Sequence, residues 1–168
     1  MNKNKKLLLS SSFLFMTLFM SFLSFSCSKK NEGMAEAKSA GEAIVDGVRL
    51  CEEVSYQRIA FWTNAVSGGN DWEKALADFD EKTETKDSLS RLNENKTEVF
   101  EKIEEFNSVK NASKDLIMLI NQMHSVYQDF VRLAESANGN LASYRDQVYS
   151  TDNRFMPEFQ SFKELCGN

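Results

Sequence analysis

Three cysteines and a single histidine carry the strongest intrinsic chemistry in this 168-residue chain. Cys51 and Cys166 could join in a disulfide if the protein is exported to an oxidising compartment. In a simple up-down helical arrangement they lie at different heights. With a rise of about 1.5 Å per residue, Cys51 sits about 24 Å below the Gly68-Gly69 turn and Cys166 about 39 Å below the top of the last helix. A disulfide needs Cα atoms within about 7 Å, so two free thiols are expected, with Cys51 a small buried hydrophobe.

His124 follows Met123, a pair of residue types that can ligate haem iron. Consecutive helical residues point about 100° apart, so the two cannot hold one iron together, and no Cys-x-x-Cys-His attachment sequence accompanies them. A ferritin-like di-iron site would need Glu three residues before the histidine, where Asn121 stands. A flanking histidine partly covered by neighbouring helices is the simpler expectation. Acidic groups such as Asp78-Asp80-Glu81 and Glu101-Glu104-Glu105 lack EF-hand spacing and its glycine, and read as solvated faces supported by pairs such as Glu98-Lys102. Arg58, Lys96 and Thr151 fall at or near apolar seams. They could line a small cavity, but polar seam residues more often fix register; Arg58 could also stack on Trp62 or pair with a carboxylate. With no Gly-rich phosphate loop and no nucleophile motif, neither an enzyme nor a bound cofactor or metal is expected.

Cys27 has a different setting. Lys3, Lys5 and Lys6 precede a long apolar run, Leu7 to Phe25, whose best core is Phe13 to Leu23, and the run ends Leu23-Ser24-Phe25-Ser26-Cys27. A positive start followed by an apolar stretch is an export signal, because the lysines stay on the cytoplasmic side. The ending resembles the lipobox of bacterial lipoproteins. Leu23 stands four residues before the cysteine instead of three, and bulky Phe25 occupies a normally small position, a looseness similar to the relaxed lipobox of spirochaetal lipoproteins. The resemblance implies cleavage after Ser26, a lipid on the Cys27 thiol and an acyl chain such as palmitate on the new amino group. Three chains would anchor the protein permanently, where one holds only marginally. Two other readings of the same residues are an uncleaved signal anchor, since about 20 apolar residues span a bilayer, and an ordinary signal-peptidase cut that leaves Cys27 free.

Residues 1–26 then form a signal peptide, 27–38 a lipidated tether whose Ala, Glu and Lys could extend a helix, and 39–168 one domain. Three of the 20 Lys+Arg and none of the 25 Asp+Glu lie in residues 1–26, which leaves 17 cations against 25 carboxylates, a formal charge of −8. That acidity argues against nucleic acid and against peripheral attraction to anionic lipid. A mature part of about 16 kDa suffices for one core, and its size and acidity resemble small spirochaetal outer-membrane lipoproteins. In such a protein the sequons at Asn95 and Asn111 read as chance.

The elements that would position these residues are helical: proline occurs only at Pro157 and no β-alternation is evident. Ser39-Ala40-Gly41-Glu42 has the form of a capping box opening a first helix, whose apolar positions run from Ile44 to Val66. Ser67-Gly68-Gly69-Asn70 ends it, and Asn70 with Glu73 could cap the next. Residues 80–88 offer no hydrophobe and are either a solvated helix stretch or a real break, after which Leu89, Leu92, Val99, Ile103 and Phe106 resume the face. Asn107 to Asn111 forms a turn. The third helix carries the clearest stripe, from Ala112 through Leu116, Leu119, Met123, Val126, Phe130 and Leu133 to Ala137, widened by Ile117 and others, and should be the most buried. After Asn138-Gly139-Asn140, a fourth helix runs from Leu141 to Leu165 with a kink or break expected just before Pro157. These elements predict an all-α antiparallel four-helix bundle.

The function expected from sequence is a lipid-anchored outer-membrane lipoprotein, a non-enzymatic interaction or structural module and potential surface antigen. Its contacts would be the membrane, through Cys27, and an unidentified protein partner. The alternative is a periplasmic carrier or sensor that holds a small apolar ligand between its helices. Whether the domain faces the cell surface or the periplasm is left open by the sequence.

Overall fold

The computed structural model describes residues 32–166. The expected signal peptide, the candidate lipidation site Cys27 and the start of the expected tether lie outside the described residues. The described chain is all-α, with five helices: α1 Met34–Ser67, α2 Trp72–Asp80, α3 Thr83–Asn107, α4 Lys114–Glu135 and α5 Leu141–Cys166. No described helix is long and apolar enough to cross a membrane.

Local sequence explains most boundaries. Asp71, one residue after the expected Asn70, caps α2 by accepting from the backbone N–H of Glu73 and Lys74 at 3.0 and 3.2 Å. Ser113 caps α4 through Leu116 N–H, and Asn140 caps α5 through Ser143 N–H. Residues 80–88 contain a real break: α2 ends at Asp80, and α3 begins at Thr83. The opening turns of α3 bury the small hydroxyl residues Thr85 and Ser88 rather than hydrophobes, which is why no apolar periodicity marked them.

Two expectations need correction. The first helix begins at Met34, five residues before Ser39, so much of the expected tether belongs to the folded body. Ala37 and Ala40 are fully buried, and Glu42 faces Lys38 at 3.9 Å instead of reaching back to Ser39. Alanines bury little area each, so they read as tether in a hydrophobicity pattern, yet they let another helix come close. The second correction concerns Pro157. α5 runs through it as one helix to Cys166, with Phe155 and Phe162 buried on either side. Burial of that face offsets the lost backbone hydrogen bond.

Contacts fix the directions of the four long helices. Glu53 meets Ser88 and Ala43 meets Asn95, so α3 descends as α1 rises. Arg58 meets Ala134 and Gly47 approaches Tyr127, so α4 rises beside α1. Asp129 meets Arg154 and Leu133 meets Tyr144, so α5 descends again. Chain neighbours alternate in direction, but α1 packs on all four other helices and α3 touches α4 only lightly. α4, expected to be the most buried helix, buries nine of its 22 residues against 14 of 34 in α1, so it does not stand out in burial, and α1 is the central element. Close packing on α1 relies on glycine. A Cβ at Gly41 would collide with the Phe162 ring, and one at Gly47 with Asn95 Oδ1 and the Tyr127 ring. The core these helices enclose is filled by large side chains, among them Trp62, Tyr144, Phe106, Phe130 and Phe162.

Candidate functional site

The two ends of the bundle differ in chemistry. At the end where the chain arrives from Cys27, here called the base, Glu32 accepts a hydrogen bond from the Asn111 side chain at 3.1 Å. Gly33 has φ +83°, and a Cβ there would press on Ala112 and Val109. Glycine therefore satisfies both the left-handed backbone and the close approach, and locks the start of α1 to the α3–α4 turn. α5 ends at the same place, with Cys166 beside Lys38 and Glu42.

At the far end, the apex, the organising residue is Arg58. It is 1 % exposed. One guanidinium nitrogen donates to the carbonyls of Leu133 at 3.2 Å and Ala134 at 2.8 Å, where α4 ends, and approaches Tyr144 Oη at 3.4 Å. The other donates to Asp80 at 2.7 Å, the last residue of α2. The guanidinium carbon stands 5.4 Å from the Phe79 ring centre, and Tyr144 also donates to Leu133 O at 2.8 Å. A cation at the negative end of the α4 dipole is favourable, and here the same cation ties α1, α2, α4 and α5 together. Burial alone would pull the Arg58 pKa down, but its hydrogen bonds to Asp80 and Tyr144 more than offset this and raise it. Of the sequence alternatives for Arg58, the carboxylate pair is the one observed; the stacking partner is Phe79 rather than Trp62.

One turn beyond Arg58, Trp62 stacks on Trp72 with centroids 5.2 Å apart and tilts against Tyr144 at 6.1 Å. Trp62 and Trp72, with Val66, Leu141 and Arg145, line an apical pocket of about 390 Å³. Trp72 is 39 % and Val66 50 % exposed. A surface indole supported from behind by a rigid aromatic and flanked by an arginine is the composition of a protein-binding hot spot.

The remaining sequence-selected residues are apportioned differently. Lys96 pairs with Glu135 at 2.5 Å across the light α3–α4 contact, on the rim of a groove of about 520 Å³ that also includes His124. His124 is half covered, as expected, and stacks loosely on Tyr127 with centroids 6.3 Å apart, while Met123 is fully buried. Burial lowers the His124 pKa. Thr151 is buried and donates to Gln147 O at 2.9 Å, one turn back in its own helix. Cys51 and Cys166 are both free. Cys51 is fully buried, and desolvation, with Glu135 and Glu52 nearby, pushes its thiol up to about 12.

Sequence reading missed two polar clusters. Asn95, buried at 6 % exposure, donates to Ala43 O at 2.9 Å and accepts from Tyr127 Oη at 2.8 Å, which joins α1, α3 and α4 and takes the first sequon out of reach. On the α1–α5 flank, Glu52 shares a hydrogen bond with Asp152, which also accepts from Tyr56 Oη at 3.1 Å. Burial first, then the Asp152 charge, pushes the Glu52 carboxyl up to about 7. A proton-sharing carboxyl pair is the raw material of acid-base catalysis, but this one lies on a helix flank outside the grooves described above. Neither cluster shows in a hydrophobic pattern, because each polar group is matched by a residue far away in sequence.

Among the described residues, no three His, Cys, Asp or Glu side chains gather in a way that could hold a metal ion. No family model matches the chain, and neither a curated protein nor a solved structure matches it.

Proposed function

We propose that this protein is a lipid-anchored outer-membrane lipoprotein whose helical domain is a non-enzymatic interaction module, acting through its apex on a protein partner. The supporting observation is polarity. The chain reaches the folded body from Cys27 at the base, while the apical pocket with its exposed Trp72 and Val66 opens at the opposite end. The 34 residues of α1 separate the two ends by about 51 Å. A domain tethered at one end and carrying an aromatic, partly exposed surface at the other is suited to presenting that surface to something beyond the membrane. If the domain faces outward, the same exposure makes it a surface antigen.

A carrier that buries an apolar ligand among its helices fits less well, because that space is taken by Trp62, Tyr144, Phe106, Phe130 and Phe162. The anchor is tested by growing cells with radioactive palmitate. Label is expected in the wild-type protein, in the outer-membrane fraction, and absent from Cys27→Ala. An unlabelled protein, or label that survives the substitution, overturns the lipoprotein reading.

A further inference from the structure

We propose that the base of the bundle is a lipid-seating surface: it rests on the membrane into which Cys27 is anchored, so that the domain stands on the bilayer rather than swinging from a long leash. The inference builds on acylation of Cys27. Three observations carry it.

The first is reach. Glu32 lies five residue steps after Cys27, and a fully extended chain covers at most about 3.6 Å per step, so the acylated cysteine lies within about 18 Å of the point where Glu32 and Gly33 lock onto the α3–α4 turn. One headgroup layer takes about 5–7 Å of that reach, so the base stays within about 13 Å of the bilayer surface.

The second is an apolar surface at the same end that the periodicity of its helices does not predict. Ile117 and Leu165 belong to the expected core stripes of α4 and α5, yet they are 38 % and 42 % exposed, and Met118 beside them is 60 % exposed. Met118 and Leu165 line a shared groove of about 380 Å³ between the start of α4 and the end of α5. Unbranched and branched aliphatic side chains of this kind partition into the interfacial layer of a bilayer.

The third is charge. The domain as a whole is acidic, but Lys110 and Lys114, in the α3–α4 turn and the first turn of α4, are exposed and make no ion pair among the described residues. Long lysine side chains beside an apolar surface can reach lipid phosphates while their stems stay in the interface. Asp115, Glu158 and Glu164 also border the Met118–Leu165 groove, so the apolar residues and the short connection, not net charge, do the holding.

The molecule contains its own probes. Cys166 is at the base and partly exposed, whereas Cys51 is fully buried, so a maleimide reagent reaches Cys166 selectively. Trp62 and Trp72, the only tryptophans, are at the apex. The acylated protein, complete from Cys27 onward and with a bimane fluorophore on Cys166, is reconstituted into phosphatidylcholine vesicles with and without brominated acyl chains. Bimane emission is expected to fall by at least half in brominated vesicles, and tryptophan emission to stay unchanged. Met118→Glu combined with Leu165→Glu alters only exposed positions. It should leave the helical circular dichroism and vesicle flotation intact while abolishing the quenching.

A vesicle-bound, acylated protein whose bimane is quenched by aqueous iodide but not by bromine overturns the seating proposal alone. A probe shielded from both quenchers means that protein, such as a second copy, covers the base, and also overturns it. A mass spectrum without acyl chains on Cys27 overturns the lipoprotein reading, and the seating proposal with it.

Discussion

Between about pH 4.5 and about pH 7, Glu52 holds a proton that the unfolded chain would release. Its carboxyl is pushed from an ordinary 4.5 up to about 7 by burial and by Asp152, with Arg49 only partly opposing the shift. Because the folded state binds the proton more tightly, ionisation costs folded stability. The contribution is fully present below about pH 4.5 and is lost as pH rises through about 7. Melting temperature is therefore expected to decline across this window in a pH series. Glu52→Gln, which keeps a hydrogen bond to Asp152 without a titrating proton, should flatten the decline. A wild-type curve that rises over the same interval would show that the pair is not sharing a proton. The site is half open to solvent, so the slope should be modest and should weaken with added salt. Cys51 illustrates the same physics at a thiol: its burial removes it from disulfide chemistry and from alkylation, and leaves Cys166 the more accessible of the two described thiols.

Arg58 makes four helices interdependent. Removing it would strand two α4 carbonyls and open a space beneath Trp62, so Arg58→Ala is expected to cost about 3 kcal/mol, a drop of about 10 °C in melting temperature. Asp80 is half exposed, and Asp80→Asn should cost under about 1 kcal/mol. Equal losses in the two variants would mean that the ion pair, not the capping of α4, is what Arg58 contributes. At this scale the sequence was informative in a specific way. The turns at residues 67–70, 107–111 and 138–140 and the stripe of α4 were legible, because turn residues and leucine-rich periodicity act locally. The start of α1 was not, since Ala37 and Ala40 matter through closeness rather than area. The Arg58 and Asn95 clusters were hidden for another reason: each is completed by partners that only the fold supplies, such as the Ala43 and Ala134 carbonyls, which carry no side-chain signal at all. The apical pocket falls between these cases, since Trp62 and Trp72 mark the helix ends in sequence but their stacking depends on the turn between them.

The molecule is built around α1, and its cohesion is uneven as a result. α4 and α5 pack on each other as well as on α1, whereas α3 depends almost wholly on α1. The first turns of α3 bury only Thr85 and Ser88, and α2 buries only Phe79. Native-state hydrogen exchange should therefore report α2 and the segment 83–91 opening first, with the middle of α1, Ile44 to Trp62, exchanging only on global unfolding. Uniform protection across the five helices would contradict this hierarchy.

The chain enters and leaves the folded body at one end, with Gly33 against the α3–α4 turn and Cys166 beside Lys38 and Glu42. This has a practical side for anyone who wants to see or capture the protein in cells. A fluorescent protein or epitope fused after the last helix would sit beside the start of α1 and the α3–α4 turn, the end that the proposed anchoring would hold against the membrane. The Gly68-Gly69 turn offers better ground: Gly69 has nothing within 4 Å of where a side chain would begin, and it lies at the tip farthest from the tether. A short tag spliced there would ride at the top of the bundle, though beside the apical pocket. The Asn138-Gly139-Asn140 turn offers a second site at the same height.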